Sequence, residues 1–63
     1  MNPDISRAAG RALIHAYGPP SAPTPIDPKW LTTIQVAVEK AGSWDDLPRK
    51  VRGWIELHDP EAQ

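Results

Sequence analysis

The fold is decided by the stretch SWDDLPRKVRGWIELHDP, which runs from Ser43 to Pro60. Ser43, followed three residues later by Asp46, resembles a capping box, the pattern typical of a helix N-terminus. Pro48 is tolerated only within the first turn of a helix, and Pro60 cannot continue one. The stretch therefore predicts a helix over residues 47–58.

The predicted helix has one charged side and one apolar side when its residues are placed at helical spacing. On the charged side, Arg52 and Glu56 have the spacing of an i, i+4 ion pair. The apolar side carries His58, with Lys50 and Leu57 at its edge, and is predicted to face the core. Its apolar members are Leu47, Val51, Trp54 and Ile55.

A second helix is predicted before this one, over residues 28–41. Asp27 can cap it, Pro28 suits its first position, and Gly42 follows its end. The two helices are expected to form a hairpin joined by a short turn, because each has an apolar side that needs covering. Trp44, in the turn, is expected to fold over the end of this hairpin. The second helix contributes Trp30, Leu31, Ile34, Ala37, Val38 and Ala41 to the core.

An N-terminal helix is predicted over residues 3–17. Asn2 can cap it, Pro3 suits its first position, and Gly18 can take the left-handed conformation that ends a helix. Its apolar face consists mostly of alanine and buries little area, so we expect this chain alone to hold it weakly. The residues of this face are Ile5, Ala8, Ala9, Ala12, Leu13, Ala16 and Tyr17.

A proline-rich linker separates this helix from the hairpin. Five prolines occur in the eleven residues from Gly18 to Pro28, which stops helix and strand alike and favours an extended chain. At about 3.1 Å per residue the linker spans up to roughly 30 Å. The helix before it is thus free to dock on a partner, on a second copy or back on the hairpin.

The predicted fold is all-α, a helical hairpin plus an N-terminal helix on a proline-rich linker. Its organisation is an N-terminal helical arm (1–17), the linker (18–27), the hairpin (28–59) as the folded unit, and a frayed tail (60–63). No apolar run is long enough to span a membrane, and the N-terminus lacks a secretion-signal pattern. We therefore expect a cytoplasmic protein without membrane contact.

Composition narrows the classes of function. The chain has 63 residues and no cysteine, so disulfides and thiolate metal sites are excluded. A domain of this size buries only about 60% of the surface of its unfolded chain, and its marginal stability is often completed by a partner. The abundance of Ala, Gly, Pro and Arg fits a GC-rich genome, such as that of an actinobacterium or one of its phages.

Few residues are suited to catalysis. No cysteine nucleophile exists, and His15 and His58 fall on separate helices. Glu56, His58 and Asp59 do not converge on one helical face, so they do not predict a metal site. A chain this short also has little room for a walled pocket. We predict a protein that is not an enzyme, with no cofactor and no small-molecule substrate.

The sequence favours a small module that binds another protein, or a second copy of itself, through helix-mediated contacts. A marginal hairpin and a weakly held arm would both gain stability from a partner's surface. An inhibitor, a regulator or an assembly component of phage or actinobacterial origin fits this description. The predicted partner-binding residues are Ile5, Ala9, Ala12, Leu13, Ala16, Tyr17, Lys50, Leu57 and His58.

A small DNA-binding regulator is the alternative. Residues 38–56 resemble a helix-turn-helix, but the interval from Gly42 to Val51 is longer than that motif allows. Asp45 and Asp46 also lie where phosphates would be met, and the net charge is −1, so the charge balance disfavours nucleic acid. The alternative would use the basic side chains Arg7, Arg11, Arg49, Lys50 and Arg52.

Overall fold

The computed structural model describes residues 2–18, 21 and 25–62. It contains three α-helices, α1 (Pro3–Tyr17), α2 (Pro28–Lys40) and α3 (Arg49–His58). Short 3₁₀ turns follow α2 and α3, at Trp44–Asp46 and Pro60–Ala62. The described residues include no strand, so the predicted all-α fold, a hairpin plus an N-terminal helix, is confirmed.

The predicted caps of α1 and α2 are present. The Asn2 side chain accepts a hydrogen bond from the Asp4 backbone N–H at 2.9 Å. Asp27 caps α2 in the same way, with 2.9 Å between its carboxylate and the Lys29 nitrogen. Gly18 ends α1 with a φ of 86°, a conformation that favours glycine. The extended conformation predicted for the linker concerns mainly residues 19, 20 and 22–24, which lie outside the described residues.

The corner between α2 and α3 differs from the prediction. The capping box of Ser43 and Asp46 is present, with 3.2 Å from the Ser43 nitrogen to the Asp46 carboxylate, but it caps the 3₁₀ turn rather than α3. Leu47 is extended (φ −70°, ψ 139°), because proline disfavours helical backbone in the residue before it. Pro48 becomes the N-cap, and α3 begins at Arg49, two residues after the predicted start.

The α1 helix packs back onto the hairpin, mainly against α3 and also against α2. This is one of the three arrangements that the sequence left open. Its alanine face lies in the core, with Ile5 2%, Ala9 5% and Ala12 0% exposed. The chain's own helices thus cover these three side chains, which the sequence analysis assigned to a partner-binding surface. The other core residues are Ala8, Ile34, Val38, Ala41, Leu47, Val51 and Ile55.

Polar contacts fix the position of α1 on the hairpin. The Asn2 side-chain amide donates to the Gly42 carbonyl at 3.3 Å, which joins the start of α1 to the corner after α2. Near the middle of α1, Arg11 donates to both carboxylate oxygens of Asp59, at 2.9 and 3.1 Å. The Arg11 Nε also lies 2.6 Å from Glu61. The segment from Pro60, predicted to fray, instead forms a 3₁₀ turn as far as Ala62.

Candidate functional site

Aromatic side chains from all three helices gather at one end of the molecule. The Trp54 ring lies at the centre, with its centroid 6.1 Å from Tyr17, 5.9 Å from Trp30 and 4.8 Å from His58. Lys50 lies over the Trp30 ring, with its ammonium 5.5 Å from the ring centroid. We call these five residues the aromatic patch.

The positions of these residues along the helices explain why they meet. Tyr17 is the last residue of α1, and Trp30 lies in the first turn of α2, so the two residues are at the helix ends that the linker joins in sequence. Trp54 and His58 are one turn apart on α3, and their rings are in contact with a tilt of 47° between their planes. The patch therefore forms only when α1, α2 and α3 are packed together.

The aromatic patch is neither core nor open surface. The rings of Tyr17, Trp30, Trp54 and His58 are all partly exposed, while Lys50 is exposed. The Tyr17 and Trp54 rings are nearly parallel, at 23°, whereas Trp30 meets Trp54 edge-on at 77°. These contacts fix the orientation of the rings relative to one another. Because the residues are only partly buried, part of their apolar surface stays in contact with water.

Lys50 gives the patch a cationic edge. Its ammonium is attracted to the negative face of the indole of Trp30 and keeps donors available for a second group. Lys29, also exposed, lies beside Trp30 in sequence. The arrangement can therefore accommodate an apolar group against the rings and an anionic or carbonyl oxygen at the lysine.

The structure brings together three of the predicted partner-binding residues, namely Tyr17, Lys50 and His58. The pattern did not identify Trp30 and Trp54 as members of that surface, because both were assigned to the core. Leu57 is 66% exposed on α3. Ala16 and Leu13 are half-buried on α1, next to the core residues of that helix.

The basic residues of the alternative prediction are mostly paired with carboxylates. Arg7 contacts Asp4 at 2.7 Å, and Arg52 contacts Asp45 at 3.4 Å. Arg11 is held by the carboxylates that follow α3. These pairs reduce the positive field that a phosphate backbone would meet. Arg49 and Lys50 are the other two of the set, and both are exposed.

The predicted pair between Arg52 and Glu56 is not formed. Glu56 instead accepts a hydrogen bond from the Trp44 indole N–H at 3.1 Å. Arg52 turns to Asp45 because the 3₁₀ turn places that carboxylate over the first turns of α3. The expectation that Trp44 folds over this end of the hairpin agrees with its partial burial against the core.

Sequence reasoning missed the contact between Arg11 and the carboxylates of Asp59 and Glu61, which we call the clasp. Asp59 is only 3% exposed, and the hydrogen bonds from Arg11 hold the pKa of its carboxyl below the usual value, against the opposing effect of burial. The same hydrogen bonds raise the pKa of Arg11. An aspartate directly after a helix is the signal that the sequence offers, but its burial and its partner depend on how α1 docks.

Two shallow grooves lie on the described surface. One, of about 290 Å³, lies between α1 and α2 and is lined mainly by apolar side chains, among them Leu13, Ile34 and Val38. The other, of about 490 Å³, lies on the outer side of α2 between Val36 and Pro48. Among the described residues, no cluster of three or more His, Asp or Glu side chains could hold a metal ion. No described helix has the length and apolarity to cross a membrane.

Comparison with known proteins adds no relative. No family model matches the chain, and no curated protein or solved structure matches it either.

Proposed function

We propose that this protein is a small, non-enzymatic module that binds another protein through the aromatic patch. The observation that carries the proposal is the partial exposure of the Trp30 and Trp54 rings at the meeting point of three helices. Tryptophan and tyrosine are enriched among the residues that dominate binding energy at protein interfaces. A partner that covers these rings would remove apolar area from water that the fold leaves exposed.

The energetics of the patch favour a rigid, pre-formed surface. Trp54 is held on three sides by Tyr17, Trp30 and His58, so little side-chain freedom remains to be lost on binding. Aromatic side chains with few rotatable bonds give large contact area at low entropic cost. A partner need not reorganise the protein before it binds.

The chemistry of the patch also limits the partner. Lys50, at its edge, is suited to a carboxylate or a backbone carbonyl of the partner. We expect the partner segment to combine an apolar or aromatic side chain with an acidic residue nearby.

Affinity capture from a native host extract tests this proposal with a matched pair of variants. Lys50→Glu reverses the charge at the patch, and Lys40→Glu makes the same change at the exposed end of α2, away from it. We expect wild type and Lys40→Glu to retain the same proteins and Lys50→Glu to lose them. Binding is then measured by titration of the tryptophan fluorescence with the captured partner.

The outcome that would contradict the proposal is equal capture by all three proteins. A steep loss of duplex DNA binding with added salt, removed by Arg49→Ala, would instead favour the nucleic-acid alternative. No contact in the described structure favours that alternative over protein binding.

A further inference from the structure

His58 gives the aromatic patch a side chain that changes charge near neutral pH. It is partly exposed, and its ring centroid lies 4.8 Å from that of Trp54, with a tilt of 47° between the ring planes. Histidine is the side chain that ordinarily binds its proton between about pH 5 and pH 8. The function proposed above uses only the charge of Lys50. As pH falls below neutral, the aromatic patch therefore gains a second cation.

A positive charge at His58 is compatible with the contacts around it. His58 is the last residue of α3, and the carbonyl end of a helix favours cations. A cation within about 6 Å of the centre of an indole ring is attracted to the ring, so a protonated imidazole keeps its contact with Trp54. Protonation thus adds charge without taking the aromatic patch apart.

The acidic groups at this end of the molecule are already engaged. Arg11, on α1, binds both carboxylates of the clasp, Asp59 and Glu61. Asp27 caps α2 by accepting a hydrogen bond from the backbone at the start of that helix, at 2.9 Å. No negative charge is carried in this pH range by the other titratable groups around the rings, Tyr17, Lys29 and Lys50. A proton on His58 therefore adds a charge that remains available to a partner.

We propose that His58 makes the aromatic patch pH-sensitive, so that the patch binds an acidic partner segment more tightly as pH falls from about 8 to about 5.5. This inference rests on the proposed function, which assigns an acidic residue to the partner. Neutral His58 offers ring surface and a hydrogen bond, whereas the protonated ring adds a charge beside the indole of Trp54. Carboxylates of the partner stay ionised over this range, so the attraction grows as pH falls.

A fluorescence titration of the free protein tests whether the charge reaches Trp54. An imidazolium in contact with an indole quenches its emission, so tryptophan emission should fall as pH is lowered from 8 to 5.5. His58→Gln should remove this change. His15→Gln is the matched control, because His15 is the other histidine of the chain and lies exposed on α1. A titration that His58→Gln leaves intact overturns the proposal.

A model peptide tests the effect on binding. The probe is a blocked peptide with one phenylalanine flanked by two glutamates, and the control peptide has glutamines in their place. Binding is followed at pH 5.5 and pH 8 by the NMR signals of the tryptophan indole N–H groups. We expect the wild type to bind the acidic peptide about fivefold more tightly at the lower pH, as one additional ion pair provides, and the control peptide equally at both.

Two variants identify His58 as the source of that difference. His58→Gln should bind the acidic peptide with the same affinity at both pH values. His58→Arg carries its charge throughout and can stack on an indole, so at pH 8 it should bind about as tightly as wild type at pH 5.5. Circular dichroism checks that both variants keep their helix content.

Two results of the peptide experiment would overturn the inference. One is a wild-type affinity that is the same at both pH values, or undetectable at millimolar peptide. The other is a pH dependence that persists in His58→Gln. Neither result decides the proposed function, which stands or falls with the capture of a host protein that Lys50→Glu loses. The two proposals can therefore fail separately.

Discussion

The α1 helix meets α3 at two places that are built very differently. At the clasp, Arg11 and Asp59 form two hydrogen bonds, and Asp59 is 3% exposed. At the aromatic patch, Tyr17 and Trp54 stack 6.1 Å apart while both remain partly exposed. In the clasp, the hydrogen-bonding groups of Arg11 and Asp59 satisfy each other within the chain. In the aromatic patch, part of the apolar surface of the rings remains in contact with water. The clasp fixes the position of the helix, whereas the aromatic patch leaves partly exposed rings, which form the surface that we propose for a partner.

Removing the central ring of the aromatic patch should have the largest effect on stability. Trp54→Ala removes the central ring that contacts Tyr17, Trp30 and His58. We expect a loss of roughly 2–3 kcal/mol in the free energy of unfolding, below the roughly 3–5 kcal/mol typical of a fully buried aromatic. Urea denaturation followed by circular dichroism measures it. Trp54→Phe, which keeps a ring, should lose clearly less, and equal losses would show that ring contacts do not stabilise the patch.

Breaking the clasp should have a smaller effect that depends on pH. The pKa of Asp59 is lower in the folded chain than the usual value of 3.8, because Arg11 donates hydrogen bonds to the carboxylate. This contribution to stability is present in full above the unfolded-state pKa and is lost as pH falls through the folded-state pKa. Thermal melts from pH 7 to pH 2 should show α1 loosening below about pH 4.

Asp59→Asn isolates this contribution. The variant should melt lower than wild type at pH 7, and the difference should shrink toward pH 2, because the wild-type carboxylate is then protonated as well. Asp45→Asn is a suitable control, since it changes an exposed carboxylate paired with Arg52 at 3.4 Å. An Asp59→Asn difference that is the same at both pH values would contradict the role assigned to the clasp.

Replacing Lys50, at the edge of the aromatic patch, should have the smallest effect on stability. Lys50→Glu should alter the free energy of unfolding by less than about 0.5 kcal/mol, since exposed substitutions seldom do more. The same change should abolish partner capture if the patch binds as proposed. Equilibrium unfolding measured beside the capture experiment separates the two effects, and an unfolded Lys50→Glu protein would mean that the contact with Trp30 is structural.

Local patterns predicted the helices well and the contacts between them poorly. The caps at Asn2 and Asp27, the stop at Gly18 and the apolar side of α3 follow from spacing and residue chemistry over a few positions. The sequence predicts the start of α3 two residues too early, because the capping box belongs to the 3₁₀ turn before that helix. Both Arg52 and Glu56 found partners outside their own helix. Such long-range pairs depend on tertiary packing, which single-helix spacing rules do not contain.

In the candidate site too, spacing within single helices did not predict the contacts between helices. Tyr17, Lys50 and His58 were identified from their positions on helix faces, but the rings that join them, Trp30 and Trp54, were assigned to the core. Because alanines bury little area, the sequence predicts a weakly held α1 and leaves open whether its alanine face docks on a partner, on a second copy or on the hairpin. In the folded chain, the small side chains let α1 approach α3 closely, and the clasp adds polar contacts that no periodicity reveals.

The clasp joins residues that are 48 positions apart, and this separation affects how the protein is made. Arg11 is translated before Asp59, and Asp59 must leave the ribosome before its carboxylate can accept the hydrogen bonds from Arg11. Until then the alanine face of α1 has no α3 to cover it, and a nascent helix with so little apolar area gains little from collapse. Native docking of α1 therefore waits until α3 and Asp59 have been synthesised, and it depends on contacts that are distant in sequence and slow to form.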